Sequence, residues 1–237
     1  MALPDETRRE ITALTKSKLG DWEDTIREMS LDDLRPNIFL ATMLDVTSAD
    51  ELIEFYAMQH LERSIVTSFG YLIQDIAVTV AGDAAEETSG NADLILHGRD
   101  GDTYIEIKSG TASSNKKMMR EMSRQHEAVK AEHPDATTAL GLTYGKREDV
   151  FGIMDDYYEG DLILVGQEFW EYLSGDPDAY RDVVAAITDA REAARRESVH
   201  GKTIQQLIDE NIDRLTAEWT AEYSADLDYD DLVERYF

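Results

Sequence analysis

Three side chains in the middle of the chain have the types and spacing for chemistry on a phosphodiester: Asp93, Glu106 and Lys108. Glu106 and Lys108 lie in Tyr104-Ile105-Glu106-Ile107-Lys108, whose alternation of apolar and polar residues is that of a strand. Successive strand side chains point to opposite faces, so Glu106 and Lys108 share one face and Ile105 and Ile107 the other. Asp93 opens a second apolar run, Leu94-Ile95-Leu96, and the intervening Arg99-Asp100-Gly101-Asp102 carries the Asp-Gly pair of a tight hairpin turn. A hairpin can set Asp93 beside Glu106. Hard divalent cations take oxygen ligands, and Mg²⁺ is usually held by one or two carboxylates plus water and substrate phosphate. Such a cation helps to generate hydroxide and stabilises charge on phosphoryl oxygens. A neighbouring ammonium can orient the attacking water or stabilise the transition state. Glu-x-Lys is also a common chance pattern, and the alternative reading is a solvated hairpin face.

The elements that must position this trio are legible on either side of it. Phe69, Leu72, Ile73, Ile76, Ala77 and Val80 recur at helical spacing, which predicts a core helix. On it, Gln74 or Asp75 is a candidate fourth active-site residue. Gly82 through Asn91 reads as a polar connector. Residues 115–132 read as a helix closed by His133-Pro134. From Lys108 to Lys130 six basic residues stand against Glu121 and Glu127, and Lys116, Arg120 and Arg124 fall on one helix face. With Lys117 they form a basic footprint of the kind that contacts phosphates, although most charge runs are simply solvated faces. Lys146, in a Gly145-Lys146-Arg147 turn, reads equally as a phosphate contact or a solvated residue. Short strands are expected over 137–144 and 161–165, and helices over 167–173, 178–196 and 203–223. Residues 5–60 read as helical with a break at Pro36, and Ser48 with Glu51 forms a capping box.

Composition limits the classes of function. The chain has 237 residues and a formal net charge of −27, from 50 acidic and 23 basic residues. Taken alone, that charge argues against a nucleic-acid partner, since Lys and Arg drive phosphate binding. The acidic residues are dispersed among abundant aliphatic and aromatic ones, which favours a folded acidic shell over a disordered tail. Two explanations compete: a protein that avoids or mimics DNA, and a solvated surface suited to a halophilic, high-salt setting. There is no cysteine, so disulfides, thiolate nucleophiles and cysteine zinc sites are excluded. No Gly-x-Ser-x-Gly elbow and no His-x-x-x-His pair occurs. No apolar run of membrane-spanning length and no secretory leader is read in the sequence, so a cytoplasmic protein without a membrane partner is expected.

The pattern Asp93…Glu106-Ile107-Lys108 resembles the active site of the PD-(D/E)XK nuclease superfamily, with Ala92 where the proline would stand. A narrower resemblance covers about Phe69 to Tyr180. Ile105-Glu106-Ile107-Lys108-Ser109-Gly110, followed by Asn115 and the basic helix, is similar to the core of type II restriction endonucleases of the PmeII family. So are Thr143-Tyr144-Gly145-Lys146 and Gly166-Gln167-Glu168-Phe169-Trp170-Glu171-Tyr172-Leu173-Ser174-Gly175-Asp176. The chain departs from that pattern at Thr111-Ala112-Ser113, where Pro-Asn-Trp is frequent, and at Gln74-Asp75, where a Glu is frequent.

The resemblance implies a restriction-endonuclease-like α/β fold, a mixed β-sheet core flanked by helices. Residues 61–237 would form the nuclease core with its C-terminal helices. Residues 1–60 would form a helical N-terminal extension, serving in dimerisation or DNA clamping. It also implies Mg²⁺-dependent cleavage, with Mn²⁺ as a substitute, of double-stranded DNA by a homodimer, in a restriction–modification system with a cognate DNA methyltransferase. Catalysis would fall to Asp93, Glu106 and Lys108. The metal ligands would be Asp93, Glu106 and the main-chain oxygen of Ile107. DNA contacts would come from Asn115, Lys116, Lys117, Arg120, Arg124 and Lys146. The rival expectations are a structure-selective or repair nuclease of the same superfamily, and an inactive, acidic, nuclease-like interaction protein.

Overall fold

The computed structural model describes residues 2–87, 90, 92–99, 101–111, 115–150, 152–197 and 201–236. In chain order its elements are α1 (Asp5–Glu28), α2 (Leu31–Leu34), α3 (Ile38–Met43), α4 (Ala49–Ala81), β1 (Ala85–Glu87), β2 (Leu94–Gly98), β3 (Gly101–Lys108), α5 (Lys116–Glu132), β4 (Thr137–Leu142), α6 (Ile153–Tyr157), β5 (Leu162–Val165), α7 (Gln167–Ser174), α8 (Ala179–Glu197), α9 (Ile204–Glu222) and α10 (Tyr229–Tyr236).

The chain forms two compact units. One comprises Met1–Thr15 and Phe69–Arg191, the other Lys16–Ser68 and Glu192–Phe237. This differs from the expected boundary after residue 60. The first residues belong with the sheet, and the chain from Glu192 onward belongs with the N-terminal helices. Helical periodicity does not expose such a division, because α1, α4 and α8 each run through a boundary without a break.

In the first unit a five-stranded sheet has the order β1-β2-β3-β4-β5. The β1–β2 and β2–β3 pairs are antiparallel, and the β3–β4 and β4–β5 pairs are parallel, so the sheet is mixed as expected. Helix α5 makes the crossover that a parallel β3–β4 pair requires. Strand β1 lies inside the stretch read as a connector and pairs Ala85 with Leu96. Its Ala-Glu-Glu sequence has no β-branched or aromatic residue to announce it. The β2–β3 hairpin runs from Leu94↔Ile105 to Gly98↔Gly101, so Gly101 begins β3 instead of closing the turn. Asp100 of the expected Asp-Gly turn lies outside the described residues.

The strand period separates two cores. Leu94, Ile105, Ile107 and Ala139 enter a cluster with Ile11, Leu72, Ile76, Phe169, Trp170 and Val183. Each fully buried Ile or Leu there contributes about 1.5–3 kcal/mol. Gly141 faces the same cluster, and a Cβ on it would lie 2.4 Å from the Phe169 ring. On the opposite face Leu140, Leu142 and Val165 pack with Met119 and Met122 of α5 and with Met154 and Tyr158. The sheet is therefore covered by helices on both faces, which is the expected α/β class.

Helix α4 is one 33-residue helix instead of two helical stretches. Among the described residues it passes the length and composition test for a bilayer crossing. Leu72, Ile73, Ile76, Ala77 and Val80 of that helix are buried in the core beside the sheet. At its start Ser48 Oγ accepts from the Glu51 amide at 3.2 Å. The Glu51 carboxylate accepts from the Thr47 amide at 2.9 Å and also from the Ser48 backbone.

The second unit is helical. Its core gathers Ile26, Leu52, Ile53, Tyr56 and Leu61 with Leu207, Leu215, Trp219 and Leu232. Helix α9 begins in a reciprocal cap, with Thr203 Oγ1 accepting from the Gln206 amide and Gln206 Oε1 from the Thr203 amide.

Candidate active site

Strand β3 is bonded to a strand on each side, and that pairing fixes where its side chains stand. Asp93 lies just ahead of β2, and its amide extends the ladder by donating to the Ile105 carbonyl at 3.0 Å. Its Oδ2 accepts from the Ile107 amide at 2.7 Å. Lys108 Nζ donates to Glu106 Oε1 at 2.5 Å and to the Ile107 carbonyl at 3.3 Å. The three side chains singled out from spacing therefore meet around one residue: Asp93 and Lys108 bond the Ile107 backbone, and Lys108 bonds Glu106. The Glu106 and Lys108 side chains keep only 17% and 20% of their exposure, so their charges interact with little screening.

The electrostatics of this pocket favour a cation. Burial holds the Asp93 carboxyl above the ordinary carboxylate range, and the neighbouring Glu106 charge pushes the same way. The Ile107 amide, the Lys108 ammonium and a hydrogen bond from the Gln74 side chain oppose that rise without cancelling it. Two adjacent carboxylates, one resisting ionisation, together with the Ile107 carbonyl, form a donor set that fits a hard divalent ion. Among the described residues no group of three or more His, Asp or Glu side chains suited to a metal occurs. Such an ion would thus rely on these oxygens, water and substrate phosphate.

Of the two candidates on α4, Gln74 is the one that bonds Asp93, while Asp75 is exposed. Adjacent helix positions diverge by about 100°, and of this pair Gln74 is the half-buried one. The periodicity of α4 identified the stretch, but not which polar residue turned inward.

Helix α5 presents the expected basic face, since Met119, Met122, Ser123, His126 and Val129 fill its buried side. Its cations are less free than the charge count implies. Lys116 Nζ lies 4.3 Å from the centroid of the Tyr157 ring, and the Arg120 guanidinium 5.1 Å from it. Arg124 is paired with Glu121, and Lys130 with Asp161 at 2.6 Å. Arg120 and Arg124 line a surface groove that also contains Glu127, Asp156 and Glu159. Asn115 is the N-cap: its Oδ1 accepts from the Lys117 and Met118 amides, both at 3.0 Å. That oxygen caps the helix, and the exposed Asn115 stands at the start of the basic face. Lys117 is exposed, and Lys146 is exposed beside Glu148 at 3.5 Å. Ala112 and Ser113, where the sequence departs from the PmeII pattern, lie outside the described residues.

Two groups under α5 were not anticipated. His126 is 2% exposed and its Nδ1 lies 3.2 Å from the Tyr158 hydroxyl. Burial pushes the imidazole pKa down to about 4, so it is neutral at physiological pH. Tyr157, the ring beneath Lys116 and Arg120, sits on α6, whose five residues are too few to show a period.

The family model described as type II restriction endonuclease EcoO109I matches residues 10–196. The chain belongs to that family. No curated protein matches the chain. The family is one of restriction endonucleases, which are hydrolases of DNA, and the match spans the sheet and the Asp93–Glu106–Lys108 pocket. The match bears out the restriction-endonuclease relationship expected from the sequence, with EcoO109I as the family shown.

Proposed function

We propose that this restriction endonuclease family member is a type II enzyme that cuts double-stranded DNA at a short specific sequence by Mg²⁺-dependent hydrolysis. The observation that carries the reading is the convergence of Asp93, Glu106 and Lys108 about Ile107, with Asp93 and Lys108 bonded to its backbone and Glu106 to Lys108. Asp93, Glu106 and the Ile107 main-chain oxygen would hold the metal, with Mn²⁺ as a substitute. When bound, Mg²⁺ supplies charge stabilisation for the phosphoryl oxygens and a more acidic water. Gln74 keeps the Asp93 carboxylate oriented toward its partners. Lys108 places a positive charge where negative charge develops as water attacks phosphorus and the bond to the leaving sugar oxygen breaks.

The α5 face carrying Lys116, Lys117 and Arg120 follows the site in sequence and supplies phosphate contacts, with Lys146 contributing another. A homodimer provides one site per strand, because a two-fold protein matches a palindromic target. Such an enzyme acts in the cytoplasm alongside a methyltransferase that protects the host's own copies of the sequence. The acidic shell suits a halophilic setting, where salt screens self-repulsion: the Debye length falls from about 10 Å at 0.1 M to about 3 Å at 1 M. Melting temperature should accordingly rise from dilute buffer toward molar KCl.

The deciding experiment is digestion of plasmid DNA in Mg²⁺, with the fragment ends sequenced. One recurring sequence at every end is expected. Ends at nicks, flaps or mismatches without a shared sequence would replace this reading with the repair nuclease. No cleavage in Mg²⁺ or Mn²⁺ at any salt concentration would favour the acidic interaction protein.

A further inference from the structure

The face of the sheet that carries Glu106 and Lys108 continues beyond Lys108. Parallel pairing sets Glu106 beside Leu140 and Lys108 beside Leu142. The two chains stay together past the end of β4: the Thr143 amide donates to the Lys108 carbonyl at 3.1 Å, and the Thr143 hydroxyl to the Ser109 carbonyl at 2.9 Å. The strand period then places Tyr144 beside Gly110, on the Glu106–Lys108 face. A Cβ built on Gly110 would lie 2.4 Å from Tyr144 Cζ and 2.8 Å from its hydroxyl. The ring thus rests on the Gly110 backbone, and glycine is needed there for close approach.

Tyr144 differs from the aromatic residues of the core. Leu140 and Leu142, which precede it on the same face, are fully covered, whereas Tyr144 is 61% exposed. It stands where the catalytic face leaves the shelter of α5 and meets solvent. Its backbone is held firmly: Trp170 Nε1 donates to the Thr143 carbonyl at 2.8 Å. Gly145, at φ +108°, packs so closely on Thr111 that a Cβ would lie 2.9 Å from Thr111 Cγ2. An exposed ring on a fixed support loses little entropy on binding, and its apolar face and polar tip suit packing against a sugar and its phosphate.

We propose that Tyr144 is a DNA-positioning residue whose ring, seated on Gly110, packs against the nucleotide next to the scissile phosphate and holds that phosphate over Glu106 and Lys108. This rests on the nuclease reading above. The test uses the full-length protein and a duplex containing the sequence that the wild type cuts. Tyr144→Ala should lower kcat about tenfold and weaken binding of that duplex in Ca²⁺ about tenfold. Its melting temperature should match the wild type, and Tyr144→Phe should restore both properties. Gly110→Ala, which displaces the ring, should reproduce the fall in kcat.

Failure of the wild type to cut any DNA would overturn the nuclease reading, and this inference with it. Wild-type cleavage alongside unchanged kcat and binding in Tyr144→Ala would overturn the inference alone. A fall in melting temperature with unchanged binding would also overturn it, by making the ring a structural filler.

Discussion

The two faces of β3 are built from the same eight residues and serve opposite ends. Ile105 and Ile107 disappear into a packed apolar cluster, while Glu106 and Lys108, one residue away, are half-sheltered charges bonded to one another. The apolar face gives stability, and the charged face costs some of it, because Asp93 is held at a position where its ionisation is disfavoured. The rigidity that the apolar face provides is what allows Glu106 and Lys108 to be held with Asp93 around a single residue, Ile107. Loss of function and loss of fold should therefore separate cleanly between neighbouring residues.

The largest expected effect is on activity, from Asp93→Asn. Cleavage should be lost, yet the variant should melt higher than the wild type at neutral pH without metal. A carboxyl whose folded pKa is raised binds its proton more tightly in the folded state. The wild type therefore loses stability as pH rises from the ordinary carboxylate range through the raised value, and Asn escapes that loss. Melting curves across pH, with and without Mg²⁺, check this: Mg²⁺ should stabilise the wild type and not the variant. Equal melting at every pH would remove the electrostatic cost assigned to Asp93.

On the other face, Ile105→Ala should destabilise the fold by about 2–5 kcal/mol, as deletion of a fully buried aliphatic side chain does. Denaturant titration measures the loss, and cleavage at a temperature where the variant remains folded should be near wild type. A selective loss of kcat without loss of stability would break the division between the faces.

Much of that division was legible in the residues. Alternation in Tyr104–Lys108 put Glu106 and Lys108 together, and the neighbouring apolar run brought in Asp93, because a short-range strand pair follows from local pattern. The long-range features were not legible. Strand β1 exists because β2 offers an edge, and nothing in Ala85-Glu86-Glu87 itself demands a strand. The return of residues beyond Glu192 to the N-terminal helices is a tertiary choice made within a continuous α8. Gln74 and Asp75 were equivalent until the rotation of α4 selected Gln74, and the basic count over-stated α5 because Glu121 and Asp161 occupy two of its cations.

His126 gives a smaller, pH-dependent effect. Its pKa falls from an ordinary 6.5 to about 4 on folding, so the unfolded chain binds more protons between these values. Stability should be full above about pH 6.5 and decline as pH falls toward 4, by on the order of 3 kcal/mol. His126→Phe should flatten that part of the pH–stability curve, and an unchanged slope would mean another group titrates there.

The smallest expected effect concerns DNA affinity. Neutralising Lys116, Arg120 and Arg124 together should reduce the salt slope of DNA binding by about 2 instead of about 3, since each phosphate contact contributes about 0.9 and Arg124 is already paired with Glu121. Binding measured over a range of KCl in Ca²⁺ reads this directly. An unchanged slope would move the DNA off α5.

The central claim, that one face of β3 carries the chemistry without carrying the fold, is tested most directly by single-turnover cleavage of a mapped DNA site by the wild type, Glu106→Gln and Lys108→Ala, each with its melting curve. Both variants should melt like the wild type or higher while cutting about a thousandfold more slowly. Cleavage within about tenfold of wild type by either variant, or wild-type cleavage that persists in a chelator, would contradict it.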